Sequence, residues 1–167
     1  QASFEDITEI PDEEWELTFR VNIHAMFYLT KAAVPHMKNG GSIINTASVN
    51  SDSPSPHLLP YATTKGAIHA LTRAMAVDCA KDGVRVNSIS PGSIRTPLLE
   101  FSARELTPEG GDWEETLAGF GKSHAIGRVG TIAEVAALVS YLVGPESGFC
   151  IGSDFAIDGG LRAKLAV

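Results

Sequence analysis

The sequence predicts an α/β fold, a parallel sheet covered by helices in three layers. Helix and strand signals alternate along the chain, which is the order that yields parallel strands joined by crossover helices. Two polar strand ends, Ser48 and Pro91-Gly92, lie where ligands bind in such sheets. The composition is that of an ordinary globular chain: of 167 residues, 44% are hydrophobic and 20% are charged.

The first helix signal begins at Pro11-Asp12-Glu13-Glu14. Proline at an early helical position and acids in the first turn both favour a helix N-terminus. Trp15, Phe19, Ile23 and Met26 then recur three or four residues apart, until Pro35 and Gly40-Gly41 close the segment. Residues 42–48 read as a strand bounded by glycines. A loop rich in Ser, Pro and Asp leads to a second long helix over residues 61–81, stopped by Asp82-Gly83. Residues 84–90 form a second strand, ended by Pro91-Gly92. Residues 97–127 show less regular patterning, with Trp113 and Phe120 as isolated apolar anchors. Thr131-Ile132-Ala133-Glu134 is a capping box, and its helix runs to Gly144-Pro145. A last short strand is expected over residues 155–158. No repeat or linker divides the chain, so residues 1–167 read as a single domain.

Charge and cysteine content narrow the function. Thirteen Lys and Arg stand against twenty Asp and Glu, a formal net charge of -7. An acidic chain without a basic run suits neither nucleic acid nor anionic lipid, so a small-molecule partner is expected. Cys79 and Cys150 are too few and too far apart for a disulfide scaffold or a structural zinc site, and no metal is expected. The first dozen residues are acidic and mixed, unlike a signal peptide. The apolar run over residues 135–143 is too short for a bilayer. The expectation is a soluble, reduced, cytoplasmic protein.

Two residues conflict with their surroundings. Asn22 falls near the middle of the apolar face formed by Trp15, Phe19, Ile23 and Met26, either satisfied within the core or aimed at an adjacent pocket. Lys65 shares a stripe with Tyr61, Ile68, Thr72, Met75 and Cys79, where a lysine is costly unless paired or solvated. Tyr61 and Lys65 lie one turn apart and can meet. A nearby ammonium favours phenolate and should lower the tyrosine pKa from its usual value of about 10. A Tyr-x-x-x-Lys pattern alone is common enough to be a rim tyrosine beside a snorkelling lysine. Here Ser48 precedes it across one loop, so hydroxyl, phenol and ammonium can converge on one oxygen atom.

The chain resembles the short-chain dehydrogenase/reductases in a series of segments in order: Arg20-Val21-Asn22-Ile23, Ile44-Asn45-Thr46-Ala47-Ser48, Tyr61-Ala62-Thr63-Thr64-Lys65 and Arg85-Val86-Asn87-Ser88-Ile89-Ser90-Pro91-Gly92. Thr96, His124-Ala125-Ile126-Gly127-Arg128 and Asp158-Gly159-Gly160 continue the series. The resemblance implies a Rossmann-like doubly wound sheet, N-terminally incomplete. It implies that Tyr61 is the general acid/base, that Ser48 hydrogen-bonds the same substrate oxygen, and that Lys65 tunes Tyr61 and binds the nicotinamide ribose. Asn22 would hold a water in a proton relay. Pro91, Gly92, Ile94 and Thr96 would line the nicotinamide side, and residues 97–127 would be the variable substrate lid. NAD or NADP is the implied cofactor, a ketone or secondary alcohol the implied substrate, and a homodimer or homotetramer the implied assembly.

The family's phosphate-binding Gly-x-x-x-Gly-x-Gly does not occur in this sequence. At roughly 30 residues per βα unit, about 90 residues of the family pattern are expected upstream of this chain, and the strand over residues 42–48 should present a bare edge. The rival class is therefore a non-catalytic remnant or oligomerisation module of the same fold, unable to bind dinucleotide alone. Two other readings fail on pattern. Gly121-Lys122-Ser123 is not a P-loop, since Thr116 stands where its first glycine belongs. Ser48 lacks the flanking glycines of a hydrolase nucleophile elbow.

Overall fold

In the computed structural model, which describes residues 5–164, three strands form one parallel sheet: β1 (Gly41–Thr46), β2 (Val84–Pro91) and β3 (Asp154–Ile157), in the order β1-β2-β3. Residues 1–4, part of the start read as unlike a signal peptide, and 165–167 lie outside this description. The expected strands over 42–48, 84–90 and 155–158 are all present, displaced by one or two residues at their ends. β1 lies at one edge of the described sheet, as its expected bare edge required.

Alternation along the strands sorts the helices into layers. Ile43, Val84 and Val86 point to one face, where they pack with Met75, Ala76 and Cys79 of α3 (Leu59–Cys79) and with Val34 and Met37. Ser42, Arg85 and Asn87 point to the other. Ser42 and Arg85 donate to the Leu142 carbonyl at the end of α6 (Ile132–Val143), and Arg85 also reaches the Gly144 carbonyl. The sheet is thus enclosed between α3 and α6. α1 (Asp12–Phe19) and α2 (Ala25–Ala33) lie on the α3 side, joined through a π-helical turn at Arg20–His24.

Residues 97–127 are more regular than their pattern suggests. They hold α4 (Pro97–Glu105) and α5 (Trp113–Ser123). Both are amphipathic, with Leu99 and Ala103 in α4 and Trp113, Leu117 and Phe120 in α5 recurring at helical spacing, and local polar contacts fix their ends. Thr96 caps α4 by accepting from Leu99 N, and Asp112 caps α5 by accepting from Glu114 N. The Arg104 guanidinium lies 3.7 Å above the Trp113 ring, and Arg95 bonds both Glu100 and Glu114 at 2.9 and 3.0 Å. Glycine is required where α3 turns into β2: Gly83 has φ +70°, and a Cβ on neighbouring Gly40 would come within 2.6 Å of the Gly83 carbonyl oxygen.

The capping box of α6 forms as expected, with Thr131 and Glu134 bonding each other's backbone N–H. Arg128 reinforces it through a forked pair at 2.6 and 3.1 Å. That guanidinium, and then the Thr131 donors, hold the Glu134 pKa at about 2, below its ordinary 4.5. A depressed carboxylate stabilises the fold fully above its ordinary pKa and loses that contribution as pH falls through the depressed one. Glu134→Gln should therefore melt below the wild type at pH 6–7. The gap should shrink between about pH 4.5 and pH 2 and close below it, as read by thermal denaturation across that range.

Candidate active site

Three structural devices bring the candidate residues to one end of the sheet. The first is the end of β1. Its ladder closes with Ala47 N donating to the Ile89 carbonyl at 2.8 Å. Ser48 follows in an extended conformation and caps a short 3-10 turn at Val49–Ser51, its Oγ accepting from Asn50 N at 3.2 Å. Ser48 is buried, and its hydroxyl proton is left to donate. α3 packs directly against this turn.

The second device is the N-terminal half of α3. Ile68, Thr72, Met75 and Cys79 bury the stripe read from the sequence, and Tyr61 and Lys65 continue it towards the open end, both half-buried. The Lys65 ammonium lies 5.4 Å from the centre of the Tyr61 ring and donates to the Thr46 carbonyl at 2.8 Å. Desolvation lowers the Lys65 pKa from its ordinary value. An ammonium carries three donors, and Thr46 occupies one.

The π-helical turn is the third. It inserts one extra residue per turn, a feature frequent at functional sites, and Asn22 is at its middle. Asn22 Nδ2 donates to Thr64 Oγ1 at 2.9 Å, and Thr64 donates to the Tyr61 carbonyl at 2.8 Å. The residue that conflicted with its helical face is thus bonded to the helix that carries Tyr61 and Lys65.

Pro91, Gly92, Ile94 and Thr96 run from the end of β2 to the cap of α4. Gly92 N donates to the Ile157 carbonyl, Ile94 bridges Gly130, and Arg95 N donates to the Gly130 carbonyl. A cavity of about 260 Å³ opens beside this segment, with Gly92, Ile94, His124, Ile126, Ile157 and Asp158 in its wall.

Two sets of residues here escaped the sequence reading. Thr64 is fully buried and bridges Asn22 to α3; its place three residues after Tyr61 was the available signal. The other is an ionic cluster behind the site. Arg162 pairs with Asp52 and lies 3.4 Å from Asp158; His69 Nε2 is 3.1 Å from Ser90 Oγ and 3.3 Å from Asp154. Burial works to raise the Asp158 pKa, but the N–H groups of Arg162 and Gly160 and the guanidinium charge outweigh it, and the group falls below its ordinary value. Asp52 and Arg162 are 110 residues apart, beyond any local pattern. Among the described residues no cluster of His, Cys, Asp and Glu could hold a metal ion, and no helix is long and apolar enough to cross a membrane.

Removing the Thr64 hydroxyl strands the Asn22 amide in a half-buried position, and an unpaired buried polar group costs about 1–3 kcal/mol. Thr64→Val should lose stability of that order in urea denaturation, while Thr64→Ser, which keeps the hydroxyl, should lose less.

Comparison with known proteins extends this geometry. A family model described as enoyl-(acyl carrier protein) reductase matches residues 2–162. General stress protein 39 of Bacillus subtilis is 40% identical over 156 residues, covering 93% of this chain and 51% of that protein. Dehydrogenase/reductase SDR family member 4 of Caenorhabditis elegans is 36% identical over 165 residues, covering 98% of this chain and 62% of that protein. Among solved structures, L-sorbose reductase from Gluconobacter frateurii, complexed with NADPH and L-sorbose, superposes with a TM-score of 0.94 at 32% identity, covering 99% of this chain and 64% of that one. Other similar structures hold NADP or NADH. This chain spans about half the length of the first curated relatives it matches. With a family model over almost its whole length and such relatives in sequence and structure, the chain belongs to the short-chain dehydrogenase/reductase family.

Proposed function

We propose that the protein is an oxidoreductase that interconverts a carbonyl and a secondary alcohol with NAD or NADP. One observation carries this reading: Tyr61 and Lys65 share a turn of α3, with the ammonium 5.4 Å from the phenol ring, beside the strand end that bears Ser48. The donor set fits the nicotinamide half of the cofactor. Lys65 keeps two N–H groups beyond its bond to Thr46, suited to a vicinal diol such as a ribose. Gly92 keeps its backbone open to the neighbouring cavity.

When bound, the cofactor supplies or accepts the hydride. The chain's own groups manage the proton and the position. Tyr61 donates its phenolic proton to the carbonyl oxygen as that oxygen gains charge, and takes it back in the reverse direction. Ser48 Oγ–H donates a second hydrogen bond to the same oxygen, stabilising the charge that develops there. Lys65 holds the ribose hydroxyls and keeps a positive charge beside the phenol. Asn22, fixed through Nδ2 by Thr64, offers its Oδ1 to a water that leads towards Lys65. α4 and α5 form the lid over the substrate. Pro91, Gly92, Ile94 and Thr96 line the nicotinamide side. The rival, a dinucleotide-free remnant of the fold, draws support from the missing Gly-x-x-x-Gly-x-Gly. Titration with NADH and NADPH separates the two, since the rival predicts no saturable binding.

General acids contribute about 10²–10⁴-fold to rate. Tyr61→Phe should therefore remove nearly all turnover of ketones by the intact protein with either reduced cofactor, leaving its melting temperature unchanged. Wild-type turnover in that variant would refute the role. Lys65→Met should raise the cofactor KM and lower kcat together.

The same reading makes the protein a homodimer or homotetramer. Leu17, Val21, Leu29 and Val77 on α1 to α3 are exposed, and the small Ala70 and Ala74 allow close helix packing. Light scattering at micromolar concentration should report a mass at least twice that of one chain; a monomer would overturn this assignment.

A further inference from the structure

His124 lies between the lid and the segment proposed to face the nicotinamide, and it is 2% exposed. Both ring nitrogens have partners. Nε2 lies 3.1 Å from Ser93 N, an N–H that can only donate, so Nε2 is the acceptor. Nδ1 lies 3.0 Å from the Phe120 carbonyl, which can only accept, so Nδ1 carries the proton. The partners select one tautomer.

These contacts join two elements. Phe120 is in the last turn of α5, where helix carbonyls lack intrahelical donors. His124 supplies one through its ring and a second through its backbone N–H, which donates to the Gly121 carbonyl at 3.0 Å. Ser93 follows Gly92, and its N–H has no backbone acceptor among the described residues; neighbouring Gly92 N and Arg95 N are satisfied by Ile157 and Gly130. The ring also fills the space beside Gly92, where a Cβ would come within 2.7 Å of Nε2. An apolar side chain at position 124 would leave the half-buried Ser93 N–H and Phe120 carbonyl without these partners.

We infer that His124 is a positioning residue that ties the end of lid helix α5 to the backbone of residues 92–96, holding in register the surface against which the nicotinamide ring lies. This inference rests on the oxidoreductase reading for its consequence in catalysis, but not for the bond itself. The glycine at position 92 and the imidazole at position 124 form one unit: the backbone approaches closely because the ring, and not a Cβ, fills the gap.

Three variants of the intact protein test it. His124→Gln can place its amide oxygen where Nε2 is; His124→Asn is too short to reach Ser93; His124→Phe fills the space without an acceptor. Hydrogen exchange at the Ser93 amide reads the bond directly. Exchange should quicken roughly tenfold or more in the Asn and Phe variants and stay near wild type in the Gln variant. The KM for NADH or NADPH should rise in parallel in Asn and Phe, with a smaller change in kcat, and Gln should restore it. Unchanged Ser93 exchange in both Asn and Phe would overturn the assignment. If those variants fail to fold, the nitrogen-15 spectrum of the wild type decides: a proton on Nδ1 of His124 supports the inference, and one on Nε2 overturns it. A wild type that binds neither NADH nor NADPH would instead remove the oxidoreductase reading, while exchange and tautomer would still judge the bond.

Discussion

The seating of α3 on the sheet is the contact on which the rest of the molecule depends. Met75, Ala76 and Cys79 press against Val84, Val86 and Ile43, and the same helix carries Tyr61 and Lys65 at its exposed end. Burial of that apolar face drives the contact, but burial is non-directional and would tolerate a helix rotated or slid by part of a turn. Polar pairs from α3 to β1 and to the π-helical turn remove that freedom. Asn45 Nδ2 of β1 donates to Thr72 Oγ1 at 2.9 Å, and Asn22 Nδ2 donates to Thr64 Oγ1 at 2.9 Å. Thr64 and Thr72 lie two turns apart on one side of α3, both essentially fully buried. A slipped helix would break both bonds and strand buried Asn45 and Thr72, at about 1–3 kcal/mol each, together with the half-buried Asn22 amide. Apolar contact attaches the helix, and these two bonds define where Tyr61 and Lys65 point.

Some of this was legible in the residue pattern. The helix and strand order, the capping box at Thr131 and the apolar stripe of α3 follow from periodicity and end signals. So does the conflict at Asn22 and Lys65, because a polar residue on an apolar stripe is visible without coordinates. Most of what escaped has a common physical origin. The π-helical turn at Arg20–His24 packs against α3 and is bonded to it through Asn22 and Thr64, 42 residues apart in sequence. The exception is α4 and α5, whose signals were present: Leu99 and Ala103, then Trp113, Leu117 and Phe120, recur at helical spacing behind the caps Thr96 and Asp112, but each run is short. The Asp52–Arg162 pair joins opposite ends of the chain's topology, and spacing carries no signal at that separation.

That distant pair bears on the site itself. Asp52 lies four residues after Ser48, just past the 3-10 turn that Ser48 caps. Arg162 holds Asp52 from one side, and His69, one turn after Lys65 on α3, faces it from another at 3.6 Å. The loop behind Ser48 is therefore braced from the end of the chain and from the helix that carries Tyr61. Asp154 extends the brace to β2, accepting from Ser88 and Ser90 at 2.7 and 2.9 Å. Three carboxylates around one guanidinium and one imidazole would repel one another if isolated. Here the serine hydroxyls and backbone donors around Asp154 and Asp158 share their charge.

In the role proposed for it, Tyr61 must meet a substrate oxygen to within hydrogen-bond distance, and errors of about an ångström can cost on the order of 10²-fold in rate. Ser48 and Tyr61 come from different elements, a strand end and a helix start, so their spacing inherits every tolerance between the two. The protein narrows that spacing from three sides. The Thr64 bond aligns α3 with the π-helical turn, the Lys65 bond to Thr46 joins α3 to β1 beside the site, and the Arg162–Asp52–His69 brace holds the loop between them. Each uses a polar or charged group that hydrophobic burial alone would not favour placing there. Their cost in folding stability is offset by positional precision, which explains why the least core-like residues of the interior gather within a few turns of Tyr61.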